Sequence, residues 1–185
     1  MHSSDIPDAL ERLLIHPGLA DLGPGPREGV SSVREIGQVM DRVRTPSEVS
    51  ELIRALLLLW HDHHDHAHAL VQERETPDGN LIHAILHRRE PDYGNASYWF
   101  HRVGEHACYD QLAKQTKAFL NKEAPSAPSH VMAIVDGDRW VPDAFIAACR
   151  QANSSRSQAA ERLMLQKIQA LETRVLLRYL LLSEM

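Results

Sequence analysis

The stretch from Thr45 to Glu73, TPSEVSELIRALLLLWHDHHDHAHALVQE, constrains the fold more than any other part of the chain. Thr45-Pro46-Ser47-Glu48 is a helix-start signature. Thr45 suits the N-cap, Pro46 the first helical position, and Glu48 the position that closes a capping box. Leu52, Leu56, Leu59 and Leu70 then recur on one face at helical spacing. The pattern predicts one long central helix over about 45–73. No Lys, Arg or Glu lies between Arg54 and Glu73, so this helix is expected to be covered on both sides rather than to present an ordinary wet face.

The flanking sequence reads as further helices. Ser4 or Asp5 can cap a short one carrying Ile6, Leu10, Leu13 and Leu14. A breaker-rich loop follows from His16 to Gly29, and then a short helix over 32–42. Thr76-Pro-Asp-Gly-Asn80 reads as a turn. Helices are expected over about 80–89, over 95–103 with Asn95 as cap and Gly104 past its end, over 106–122, and over 140–151 with Pro142 in the first turn. The segment 131–135 is β-prone but too short and solitary for a sheet. The longest amphipathic stretch, 154–182, carries Ala160, Leu163, Ile168, Leu171, Val175, Leu176 and Tyr179 as its core-facing set. The expectation is an all-α chain, a single-domain bundle of roughly six to eight helices over residues 1–185.

Composition narrows the classes of function. The net charge of −5 disfavours an electrostatic grip on nucleic acid. The apolar run Ala55–Trp60 is far short of the ~20 residues that cross a bilayer. MHSSDIPDALERLL has no basic region followed by an apolar core, so no signal peptide is expected. Cys108 and Cys149 lie in no CxxC pattern and read as reduced, buried thiols of a cytoplasmic protein.

Chemistry concentrates in the histidines, nine of the twelve of which cluster between His61 and His106. On an unbroken helix at ~100° per residue, His61, Asp65, His68 and Gln72 fall within an arc of about 60°. His63 falls on the core face, and Asp62, His64 and His66 lie at the margins. The next helix carries His83 and His87 at i, i+4, with Glu90 at i+7. Imidazoles and carboxylates at these spacings are ligands for zinc, nickel, iron or manganese. His61, Asp65, His68, His83, His87 and Glu90 are therefore the candidate metal ligands. A metal-bound water would make the protein a hydrolase. The same polar stripe can instead be a metal-free hydrogen-bonded network in a module that binds a small ligand or a partner.

Arg88 and Arg89 follow, with Tyr98, Trp99 and His106 further on. Guanidinium forks match carboxylates and phosphates. With Gln72, these residues are the candidate contacts to a small anionic ligand. The competing structural roles are ion pairs at a tight corner for the arginines and core packing for the aromatics. The long C-terminal helix is a candidate homodimer interface.

The pattern H-x3-D-x2-H-x3-Q over residues 61–72, followed by LIHAILHRREPDYGNASYWFHRVGEH, resembles an uncharacterised family of small bacterial and fungal proteins. The resemblance spans about Trp60 to His106. It implies that these segments belong together; the family has no assigned activity. His61-Asp62 is also an HD dipeptide, similar to that of HD-type metal phosphohydrolases, but without their usual surroundings.

Overall fold

The computed structural model describes residues 6–16, 18–154 and 159–183. Its described part is all-α apart from one two-stranded hairpin. Ten helices follow in order: α1 Asp8–Leu14, α2 Val33–Met40, α3 Ser47–Trp60, α4 His64–Val71, α5 Pro77–Arg89, α6 Tyr93–Val103, α7 Tyr109–Glu123, the single turn α8 Ser129–Met132, α9 Pro142–Ser154 and α10 Ala159–Leu182. The strands β1 (Val135–Asp136) and β2 (Arg139–Trp140) pair antiparallel between α8 and α9. The expected cap at Ser4 or Asp5 and residues 155–158 of the expected C-terminal helix lie outside the described residues.

The expected central helix is two helices. α3 ends at Trp60, and Asp62 takes a left-handed conformation with φ 66°. The Asp62 N–H donates to Leu59 O at 3.1 Å, and the His63 N–H donates to Leu58 O at 2.9 Å. This pair of bonds is the Schellman helix stop, in which the left-handed residue is usually glycine or asparagine. Aspartate at that position left no stop signal in the sequence. The start of α3 also differs. Pro46 is the N-cap, without a side-chain cap bond, and the buried Thr45 hydroxyl has no partner among the described residues.

Other boundaries moved for local reasons. Ser32 and Glu35 form a complete capping box on α2. Thr76 caps α5 by accepting from Gly79 N–H at 3.1 Å, so Pro77-Asp-Gly-Asn80 is a first helical turn rather than a loop. Gly79 is required there, because a Cβ would lie 2.7 Å from the carbonyl oxygen of Arg74. Asp92, not Asn95, caps α6. Residues 131–135 divide between the α8 turn and the first strand.

The core is one continuous apolar cluster to which all ten described helices contribute. α5 lies deepest; Leu81, Ile82, Ala84, Ile85 and Leu86 are all buried, and so are His83, Arg88 and Arg89. α10 buries Ile168, Val175 and Leu176 as periodicity implied, but its inward face is shifted around the helix. Ala160 and Leu163 are exposed, while Gln169, Glu172 and Thr173 are buried beside Ile168, Val175 and Leu176. The reason is an ion pair. Arg88 grips Glu172 with both ends of its fork, Nη1 at 2.9 Å from Oε1 and Nη2 on Oε2. Its guanidinium also lies 4.1 Å from the centre of the Phe145 ring. No described helix is long and apolar enough to cross a membrane.

Removing one member of such a pair leaves an uncompensated buried charge. Arg88→Met is expected to cost about 3–5 kcal/mol, and Arg88→Met with Glu172→Leu to recover most of that loss. Urea denaturation of the two single variants and the double variant checks this.

A three-histidine centre between two helices

Asp62 organises the turn between α3 and α4. Its buried carboxylate accepts from Arg27 Nε at 2.8 Å, from the Arg27 N–H at 2.9 Å, and from Arg89 Nη2 at 2.7 Å. The same two guanidiniums cap the end of α3, Arg89 on Leu59 O and Arg27 on Trp60 O. Burial alone would raise the Asp62 carboxyl, but the hydrogen bonds from Arg27 and Arg89 outweigh it and hold the group below its ordinary range. Asp62 is thus a structural anion and not the acid of an HD-type metal pair.

The turn redistributes the histidines. His61 is buried at the end of α3, with its Nδ1 accepting from Ser31 N–H at 3.1 Å. His63 Nε2 donates to the Ser31 carbonyl at 2.8 Å, so both rings bracket one loop residue. His64 is buried, with Nδ1 donating to Asp62 O at 3.2 Å. Asp65, His66 and Gln72 are exposed. The expected stripe of His61, Asp65, His68 and Gln72 therefore does not exist: its angular register held only for an unbroken helix.

Three histidines do converge. His68 from α4 meets His83 and His87 from α5, and ligand atoms of the three lie within 4.8 Å of one another. His83 and His87, one helical turn apart, stack with ring centres 4.7 Å apart and planes at 26°. His68 approaches them edge-on, at 4.8 Å and 5.6 Å. Its Nε2 is 3.1 Å from His83 Nε2. Nitrogens bound tetrahedrally at 2.0–2.1 Å from a zinc ion sit about 3.4 Å apart. The group can hold a metal ion after sub-ångström to ångström shifts of the rings.

The surroundings suit neutral imidazole, the form that binds metals. Burial, with His87 and His68 adding to it, lowers His83 to about 4. Trp99 of α6 stacks on His83 at 4.1 Å, closing one face of the ring. Glu90 does not join the three ligands. Its Oε2 sits 3.0 Å from His87 Nδ1, so Nδ1 donates and Nε2 is left as the donor atom for a metal. Tyr98 is exposed and accepts from Arg102 at 3.1 Å, and the Arg102 guanidinium lies 5.2 Å over Trp99.

The remaining candidates lie elsewhere. Arg88 and Arg89 are buried and spend their forks on Glu172 and Asp62, not on an open pocket. His106 is buried against Asp78 and Cys108, away from the three histidines. Periodicity missed Asp62, Arg27 and Glu172, whose roles come from contacts distant in sequence.

His61 and His64 generate a pH dependence. Burial first, and then the positive charge of Arg27 for His61 and of Arg89 for His64, lowers each to about 4. The unfolded chain takes up these protons from about pH 6.5 downward, whereas the folded chain does so only near pH 4. Stability is therefore complete above about pH 6.5 and declines as pH falls through that window. Urea midpoints taken between about pH 7.5 and 5, above most carboxylate titration, should fall; replacing both residues with Gln should remove most of the decline and leave the part that His83 contributes.

Compared with protein-family models, curated proteins and solved structures, the chain finds no match.

Proposed function

We propose that the protein binds one divalent transition metal ion through His68, His83 and His87 and uses it in hydrolysis. The observation that carries this reading is the convergence of three imidazoles from two helices within 4.8 Å. An all-nitrogen set of three neutral ligands suits zinc, nickel or iron, and less so manganese, which prefers oxygen. Three protein ligands leave a fourth tetrahedral position, where a bound water would be acidified toward pH ~7. Glu90 orients His87, and Trp99 keeps water off one face of His83. An anionic substrate would meet Arg102 at the rim, because its guanidinium covers Trp99.

One observation favours a second reading. The 3.1 Å separation of His68 Nε2 and His83 Nε2 is also that of an N–H···N hydrogen bond. The trio would then be a metal-free network ordering a small-ligand pocket.

Metal analysis and zinc titration of protein purified without a histidine tag separate the two. One ion per chain is expected. His83→Ala and His87→Ala should each weaken zinc binding by at least about a hundredfold, and Glu90→Gln by about ten- to a hundredfold. His61→Ala should lower stability yet leave affinity unchanged. A folded chain that takes up none of zinc, nickel, iron or manganese would overturn the metal reading.

A further inference from the structure

The segment joining α6 to α7 holds a second constellation of reactive groups. Cys108 is the N-cap residue of α7, a 15-residue helix. Its Sγ lies 3.1 Å from His106 Nδ1. The Cys108 N–H donates to the same nitrogen at 3.2 Å, which requires a lone pair on Nδ1 and places the ring proton on Nε2. Nε2–H in turn donates to Asp78 Oδ1 at 2.8 Å. Thiol, imidazole and carboxylate thus stand in the order of nucleophile, base and orienting group. Tyr179 of α10 packs edgewise on the His106 ring, with centres 4.9 Å apart, and fixes its plane.

Two independent features favour chemistry over packing. The N-terminal end of a long helix stabilises negative charge on a thiol placed there. Cys108 also lines a cavity of about 520 Å³ between the start of α7 and the end of α10, together with Gln111, Val175, Tyr179 and Leu182. Its walls are mixed: Ala107, Val175, Tyr179 and Leu182 are apolar, while Gln111, Arg178 and Ser183 add polar groups.

We propose that Cys108, His106 and Asp78 form a thiol-dependent acyl-transfer site for esters or thioesters of small acyl groups. Burial pushes the resting thiol up to about 12, so the proton leaves only as the new bond forms. Cys108 Sγ attacks the carbonyl carbon while its proton passes to His106 Nδ1, and Asp78 stabilises the imidazolium. The adduct collapses with cleavage of the C–O or C–S bond, and His106 returns the proton to the departing alcohol or thiol. The acyl group is then a thioester on Cys108. Water, deprotonated by His106, attacks this carbonyl. Release of the carboxylic acid breaks the Cys108 C–S bond, and the proton restores the thiol. No oxidant or reductant enters.

Cys149 is an internal control: it is also buried, and its thiol is likewise pushed up to about 12, but it neighbours the guanidiniums of Arg88 and Arg162 where Cys108 has the imidazole of His106. The full chain would be mixed with p-nitrophenyl butyrate at neutral pH, with and without a metal chelator. The expected result is a burst of nitrophenolate and one butyryl group per chain, located on Cys108 by peptide mass spectrometry. Chelation should not change the burst, which separates this site from the three-histidine centre. Cys108→Ala should abolish the burst, and Cys149→Ala should keep it. Asp78→Asn should slow acylation by about ten- to a hundredfold with the fold retained by circular dichroism. Label shared between the two cysteines, label found elsewhere, no burst, or a folded Asp78→Asn chain of unchanged rate would overturn the proposal. If a variant fails to fold, the location of the label on the wild-type chain decides.

Discussion

Two adjacent guanidiniums at the end of α5, both almost fully buried, determine how the other helices are placed. Arg88 reaches Glu172 on α10, and Arg89 reaches Asp62 between α3 and α4. Neighbours on a helix point about 100° apart, so the two forks leave α5 in different directions. Each finds its own carboxylate. Buried ion pairs of this kind add little net stability over apolar residues of the same volume. Their effect is exclusion: any packing in which α10 slides by a turn, or α3 runs on through Asp62, leaves a charge buried without a partner. Arg27 joins the second pair and reinforces it from the loop ahead of α2.

The three-histidine centre inherits its geometry from that arrangement. His83 and His87 are fixed by the helical repeat of α5, but His68 belongs to α4. Where α4 lies depends on the turn at Asp62, and Arg89 holds that turn only two residues beyond His87. The clamp therefore ties the third imidazole to the helix that supplies the first two. A left-handed backbone costs about 1–2 kcal/mol at most residues and less at aspartate, whose short side chain tolerates it. Three charge-assisted hydrogen bonds from two arginines are enough to hold it.

The helical class of the fold and most of its elements were legible because periodicity and caps are local signals. The i, i+4 pair His83 and His87 was legible for the same reason; that His68 alone of the stripe joins it is set by tertiary packing. What failed was a calculation that crossed an unseen break. The angles that joined His61 and Asp65 to His68 assumed a continuous helix, and one left-handed aspartate rotated the two halves apart. Glu172 was hidden in the same way. Among leucines on α10 it reads as a wet position, and only Arg88, 84 residues earlier, makes it an inward one. Such long-range charge pairing has no signature in spacing. The arginines were read as ligand contacts because a guanidinium is expected near solvent unless a buried anion is known.

Charge balance separates structural from functional residues along α5. A helix buried on nearly all sides carries a penalty for every polar side chain it takes inside. Asn80 aside, the polar groups at its ends are balanced by opposite charge or a base: Arg88 by Glu172, Arg89 by Asp62, Asp78 by His106. The middle is different. His83 is buried, meets two other imidazoles, and has an Nδ1 with no partner among the described residues. Neutral imidazoles packed together gain at most weak hydrogen bonds, and protonating any of them repels the rest. An apolar residue at position 83 would pack as well against Trp99 without that penalty. His83 is thus the residue of α5 that stability alone does not account for, and a ligand shared with His68 and His87 would remove the imbalance.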